Sequence, residues 1–306
     1  MMAADQPQAL ELANGRLAAL SWGRQSAPVW LALHGWLDNA ASFSRLAPSL
    51  ASALDIRIIA LDFRGHGHSA VLSAPETPSA TQDIALWDYC HDVLDALDTL
   101  EIEQVTLLAH SMGAAVSCLL AAALPERVEQ LILLDGLGAL TSPPEEASAQ
   151  LRKGLLAHRR LASQPLRYAD LESAVAARVA GGVTPIDADT AWPLMARNSR
   201  LGSDGQCYLR TDRRLMKPSM VRFTPDQVLA LLGEIRCPVL LIEGETGILG
   251  DRQWAATCRH AVADIVRHVL PGGHHLHLEK TAVERVASTI VDYQLARKEA
   301  ILHATP

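Results

Sequence analysis

Ala109-His110-Ser111-Met112-Gly113 places a serine between small residues two positions away on either side, directly after the apolar run Val105-Thr106-Leu107-Leu108. This order describes a strand that turns sharply into a helix, a nucleophile elbow. The serine is held there at a strained backbone position with its hydroxyl exposed above a sheet, and large flanking side chains would collide. Alanine stands at the first small position, where glycine is usual; a methyl group is tolerable there. The stretch from Gly113 to Ala123 is apolar on all sides and stops at Leu124-Pro125, as expected of a helix buried against a sheet.

A serine hydroxyl is a poor nucleophile at neutral pH, so it needs a base within hydrogen-bond reach and donors for the oxyanion formed on attack. Pro271-Gly272-Gly273-His274-His275-Leu276-His277-Leu278-Glu279 follows the last apolar run. Its histidines are therefore expected on a loop at the carboxyl edge of a sheet, where ligands bind in open α/β structures. Imidazole can take the serine proton and return it to a leaving group. Its spacing to Glu279 makes His274 the expected base. His275 and His277 are read as structural, one near a lid and one bonded inside the loop. His34-Gly35-Trp36 ends another apolar run, and the backbone N–H groups of Trp36 and Met112 are the expected oxyanion donors. Asp62-Phe63-Arg64-Gly65-His66-Gly67-His68-Ser69 lacks the pattern and lysine of a phosphate loop, so it is read as a tight turn without a metal.

The elements that must position these residues alternate along the chain. Val29–Leu33, Ile56–Leu61, Val105–Ala109, Val128–Leu134, Val239–Ile242 and Ile265–Leu270 read as buried strands. Ile84, Trp87, Cys90, Leu94 and Leu97 recur at helical spacing, as do Val283, Val286, Ile290 and Tyr293. This pattern predicts a mostly parallel sheet covered on both faces. Ala9 to Trp22, around Asn14-Gly15, reads as an edge hairpin. The alternation fails between Gly138 and Ile235, which holds Pro143-Pro144, a basic helical stretch from Leu151 to Leu161, Gly181-Gly182 and the helix start Thr224-Pro225-Asp226-Gln227. That span is expected to be a mainly helical lid, giving a core of 1–137 and 236–306 with a cap of 138–235.

A chain of 306 residues, 49% hydrophobic, can bury a large core and is not disordered. No apolar run is long enough for a membrane span, and Met1-Met2-Ala3-Ala4-Asp5-Gln6-Pro7 lacks the pattern of a signal peptide, so a cytoplasmic location is expected. Five scattered cysteines, Cys90, Cys118, Cys207, Cys237 and Cys258, suggest buried thiols rather than disulfides or a zinc site. The net charge of −7 disfavours a nucleic-acid partner. It conceals a basic segment: Leu151 to Arg222 carries 13 of the 27 Lys and Arg but 6 of the 34 Asp and Glu. That segment either docks on the acidic remainder by complementary charge or attracts an anionic substrate.

These motifs together resemble the α/β-hydrolase superfamily: His34-Gly35-Trp36, Asp62 with Arg64-Gly65-His66-Gly67, Ala109-His110-Ser111-Met112-Gly113 and Pro271-Gly272-Gly273-His274 stand in that family's order. His34-Gly35-Trp36-Leu37-Asp38-Asn39-Ala40, with Gly202-Ser203-Asp204-Gly205, is similar to the serine hydrolase-like branch. The resemblance implies an eight-stranded sheet, a Ser-acid-His triad, no cofactor and no metal, and a helical cap inserted after the sixth strand. The family most often carries its acid after the seventh strand, where this chain has Gly244-Glu245-Thr246-Gly247 with glycine in the aspartate's position. Asp135, after the sixth strand, is the first choice for the acid, with Glu245 second and Asp251 third.

The expected activity is that of a serine hydrolase cleaving a carboxylic ester or related acyl compound through an acyl-enzyme, with Ser111, His274 and Asp135 as its catalytic residues. A serine at the elbow argues against reactions that need a carboxylate nucleophile. C–C bond hydrolysis, thioester hydrolysis and perhydrolysis stay open, as does the oligomeric state. A non-catalytic small-ligand-binding protein of the same fold is the rival reading.

Overall fold

The computed structural model describes residues 6–70, 84–160 and 165–304. Met1–Asp5 of the amino-terminal stretch and Leu161 at the end of the basic stretch lie outside the described residues. The expected hairpin forms one edge: β1 (Gln8–Leu12) pairs antiparallel with β2 (Leu17–Trp22), and Ala13, Asn14 and Gly15 turn between them at positive φ. Next come β3 (Val29–Leu33), α1 (Leu46–Leu54), β4 (Arg57–Leu61), α2 (Asp88–Thr99), β5 (Val105–His110), α3 (Met112–Ala123) and β6 (Val128–Leu134). An inserted segment carries α4 (Ala147–His158), β7 (Arg167–Tyr168), α5 (Leu171–Gly181), α6 (Ala188–Asn198), β8 (Ser199–Leu201) and β9 (Cys207–Leu209). The chain then returns through α7 (Pro225–Gly233), β10 (Val239–Gly244), α8 (Gln253–Ala261), β11 (Ile265–Leu270) and α9 (Val283–Ala304).

The main sheet has eight strands in the order β1-β2-β4-β3-β5-β6-β10-β11. Every pairing from β4 to β11 is parallel, and β1 and β2 add the antiparallel edge. Successive side chains along a strand face opposite layers, and this chain uses both faces. Leu31, Leu33, Ile59, Leu61, Leu107 and Leu131 pack under α2, α3, α7 and α8, whereas Ala32, Ile58, Ala60, Leu108, Ile132 and Leu240 pack under α1 and α9. Full burial of one such Leu or Ile contributes roughly 1.5–3 kcal/mol. The strand ends that carry His34, Asp62, Ser111 and Asp135 are therefore rigid supports, although the residues themselves lie in turns.

The sequence-based expectations need three refinements. The buried stripe of α2 is Tyr89, Val93, Ala96 and Leu97, because Ile84 and Trp87 precede the helix and Trp87 is exposed. Within the span expected as cap, α7 packs on α3 and α8, with Val228 and Leu232 in the same core as the sheet. Its start is as expected: Thr224 and Gln227 form a reciprocal capping box. The inserted segment also contains a small antiparallel sheet in the order β7-β9-β8, which the sequence did not foretell. A bridge between Thr141 and Phe223 joins the chain where it leaves the core and where it returns. All five cysteines are free thiols; Cys118, Cys207 and Cys258 are buried, while Cys90 and Cys237 are half-buried.

Candidate active site

Ser111 caps the amino-terminal end of α3 with φ 50° and ψ −111°, a left-handed conformation that a residue with a β-carbon adopts only under strain. Its N–H is held by the Leu134 carbonyl at 3.2 Å, at the end of the neighbouring strand. Close approach makes the elbow possible, since a β-carbon on Gly113 would collide with the Leu33 carbonyl. The Met112 N–H stands in the first turn of α3, where backbone donors have no intrahelical acceptor. Gly35 and Trp36 line the same cavity as Ser111. The Trp36 side chain is exposed and donates from Nε1 to the Leu215 carbonyl of the inserted segment at 3.1 Å.

His274 connects two of the expected residues. Its Nε2 lies 2.9 Å from Ser111 Oγ and its Nδ1 lies 2.6 Å from Asp135 Oδ2. Asp135 is fully buried at the end of β6, at φ 43°. Its carboxylate also accepts N–H bonds from Ile248 at 2.8 Å and Gly244 at 3.3 Å. A carboxylate oxygen can only accept, so His274 carries its proton on Nδ1 and presents a free Nε2 lone pair to the serine. The loop that carries His274 is braced by Glu279, which accepts the Gly273 N–H through both oxygens at 3.0 and 3.1 Å.

The structure thus brings Ser111, His274 and Asp135 together and leaves the other acids apart. Glu245 and Asp251 are exposed, and neither is among the hydrogen-bond partners of His274. Neither of the other two histidine side chains makes the bond inside the loop expected of one of them: His277 Nε2 bonds Ser42 Oγ at 2.8 Å. His275 Nε2 lies 3.2 Å from Asp38 Oδ2, and the same oxygen is 3.6 Å from His110 Nδ1. Burial alone would raise the Asp38 carboxyl, but the adjacent His275 and His110 hold it well below the usual carboxylate range. Burial, reinforced by His274, pushes His110 down to about 4. Asp38 and His110 were not singled out from the sequence as site residues; their position next to His34-Gly35-Trp36 and Ser111 was the available signal.

These groups surround a cavity of about 270 Å³ between the sheet edge and the inserted segment. Leu194, Met195, Met216, Arg178 and Arg213 line its far side. The segment is fastened over it by Arg197 of α6. Its guanidinium meets both oxygens of the fully buried Asp62, with Nε at 3.0 Å from each and a second nitrogen at 2.7 Å. Asp62 also accepts the N–H groups of Ala40 and His68, both at 2.7 Å. The stretch first read as a tight turn is therefore also the docking point of the insertion.

A family model described as the alpha/beta hydrolase fold matches residues 28–281. A serine hydrolase-like protein of Dictyostelium discoideum is 32% identical over 295 residues, covering 92% of this chain and 79% of that protein. A serine hydrolase-like protein of Danio rerio is 27% identical, covering 91% of this chain and 85% of its own length. Among solved structures, a hypothetical protein of Pseudomonas aeruginosa PAO1 superimposes with a TM-score of 0.84 at 40% identity, covering 95% of this chain and 99% of that one.

Proposed function

The chain belongs to the α/β-hydrolase fold family and resembles its serine hydrolase-like branch, and on that premise we propose that it is a serine hydrolase of carboxylic esters or related acyl compounds. The observation that supports this reading is the single imidazole of His274, within hydrogen-bond distance of both Ser111 Oγ and Asp135 Oδ2. The inserted segment acts as a cap that closes the acyl site.

In the reaction, His274 Nε2 takes the hydroxyl proton as Ser111 Oγ attacks the substrate carbonyl carbon. The oxyanion is met by the N–H groups of Trp36 and Met112, the latter at the positive end of the α3 dipole. The imidazolium formed is stabilised by Asp135 and gives its proton to the leaving alcohol, which departs as the C–O bond breaks. Water then repeats the sequence. His274 accepts its proton, the hydroxide adds to the acyl-enzyme, and the proton returns to Ser111 Oγ as the carboxylic acid leaves. Asp135 keeps the imidazole in the tautomer that each step needs.

The absence of an aspartate at the usual position motivated the non-catalytic reading. The hydrogen bond between His274 and Asp135 favours the hydrolase over that reading. Arg178 and Arg213 on the cavity wall favour a substrate bearing negative charge away from the scissile bond. Labelling with a fluorophosphonate tests the nucleophile. We expect covalent modification at Ser111, its loss in Ser111→Ala, and strong slowing in His274→Ala. Labelling that His274→Ala leaves unchanged would overturn the assignment.

A further inference from the structure

Three buried side chains on the cavity wall, outside the Ser111–His274–Asp135 set, point donor atoms at one another. His110 lies 2.9 Å through Nε2 from the His274 carbonyl oxygen. A carbonyl can only accept, so Nε2 holds the proton and Nδ1 of the neutral ring offers a lone pair. That lone pair has no hydrogen-bond partner and faces Asp38 Oδ2, itself an acceptor, at 3.6 Å. His275 brings Nε2 to 3.2 Å from the same oxygen, and its Nδ1 is likewise buried without a partner. One donor atom from each of the three residues lies within 4.8 Å of the others.

A neutral His275 can donate its Nε2 proton to Asp38, whereas the His110 Nδ1 lone pair facing the same carboxylate has no partner; a cation in place of the His275 proton would satisfy all three groups. Bonds of about 2.0–2.2 Å from imidazole nitrogen and carboxylate oxygen to a tetrahedral metal put donor atoms roughly 3.4 Å apart. Two of the three separations, 3.2 and 3.6 Å, bracket that value, and the third is within 4.8 Å. We propose that Asp38, His110 and His275 form a site for one divalent transition cation, with zinc(II) as the best match, on the cavity wall beside Ser111.

Two imidazoles and a carboxylate suit zinc and its neighbours and are poor ligands for calcium or magnesium, which take oxygen donors. The bond from His110 Nε2–H to the His274 carbonyl is the outer contact that fixes the ring of a ligating histidine. All three residues line the cavity, which gives a metal a route of entry. This inference does not depend on the proposed acyl chemistry.

The test uses the untagged full chain, stripped with a chelator and titrated with zinc chloride in competition with a chromophoric chelator. Uptake of one zinc per chain is expected, together with visible bands of a low-coordinate site when cobalt(II) chloride replaces zinc. His275→Gln and Asp38→Asn should each weaken zinc binding by more than about 100-fold, beyond what loss of an outer contact costs. His277→Gln, which removes a neighbouring buried ring bonded instead to Ser42, should bind as the unaltered chain does. Ser111→Ala should also bind normally, so loss of hydrolysis and loss of the metal site are told apart. A folded, stripped protein that takes up no zinc, or His275→Gln binding as tightly as the unaltered chain, overturns the proposal. If the ligand variants do not fold, stoichiometry and the cobalt spectrum of the unaltered chain decide it.

Discussion

The carboxylate of Asp135 occupies the space that a side chain on Gly247 would fill, because a β-carbon built on Gly247 runs into Oδ1, Oδ2 and Cγ of Asp135. Two positions 112 residues apart in sequence therefore compete for one location beside His274. An acid on β6 and an acid after β10 are alternative occupants of it, and glycine at 247 is the space left for the first.

This relationship predicts the outcome of moving the acid. Asp135→Asn should lower kcat/KM for a nitrophenyl ester by about 10²–10⁴, since the amide favours the wrong imidazole tautomer. Glu245→Gln, on an exposed side chain, should stay within about threefold. Gly247→Ala should destabilise the fold by roughly 1–3 kcal/mol through overpacking against Asp135. In an Asp135→Gly background, Gly247→Asp should recover part of the lost rate. A Glu245→Gln loss exceeding that of Asp135→Asn would reassign the acid.

Stability should fall on mild acidification. His34 and His66 are buried and accept the N–H groups of Phe63 and Leu37 through Nε2, at 3.1 and 3.3 Å. Burial lowers His34, and burial together with His34 pushes His66 down to about 3. Unfolded, both rings take a proton near pH 6.5. The folded form binds fewer protons below that pH, so their contribution is complete above about 6.5 and is lost as pH falls toward the folded values. The slope is up to about 1.4 kcal/mol per pH unit for each ring. Tm should therefore drop between pH 7 and pH 5, and less so in His66→Gln. A Tm independent of pH over this range would contradict the argument.

The ion pair that fastens the inserted segment should be costly to break from one side. Arg197→Ala leaves Asp62 buried with its charge uncompensated, which typically costs about 3–5 kcal/mol. Chemical denaturation should show that loss, and limited proteolysis should cut first in the inserted segment. The double variant with Asp62→Asn should recover part of it. An Asp62→Asn effect that is the same with and without Arg197 would mean that the pair is not coupled.

The basic segment gives a test with salt. If Arg178 and Arg213 draw in negative charge, kcat/KM for an anionic ester should fall as ionic strength rises, while a neutral ester of the same chain length stays nearly level. Identical salt profiles would leave the segment's charge a matter of docking and solvation.

The frame was legible in the sequence because unbroken apolar runs identify strands covered on both faces, and β3, β5 and β6 lie where those runs lie. Ser111 and His274 could be read because the elbow and the glycine pair before the histidine are local patterns. The acid was an open choice, since the hydrogen bond between Asp135 and His274 joins positions 139 apart. The strands of the inserted segment are two or three residues long, too short for any periodicity to register. The pairing of Arg197 with Asp62 and of His277 with Ser42 depends on docking that no local spacing encodes. Glu243 is a similar case, a fully buried carboxylate held by Arg259 and Arg267 at 2.8 Å each.

The backbone at Ser111 sits where glycine would be at ease. Ser111→Gly should therefore stabilise the fold by about 1 kcal/mol once the looser unfolded chain is counted, raising the denaturation midpoint, while abolishing hydrolysis. A screen rewarding heat resistance alone would discard the hydroxyl early, so any effort to toughen this protein has to select for turnover at every round.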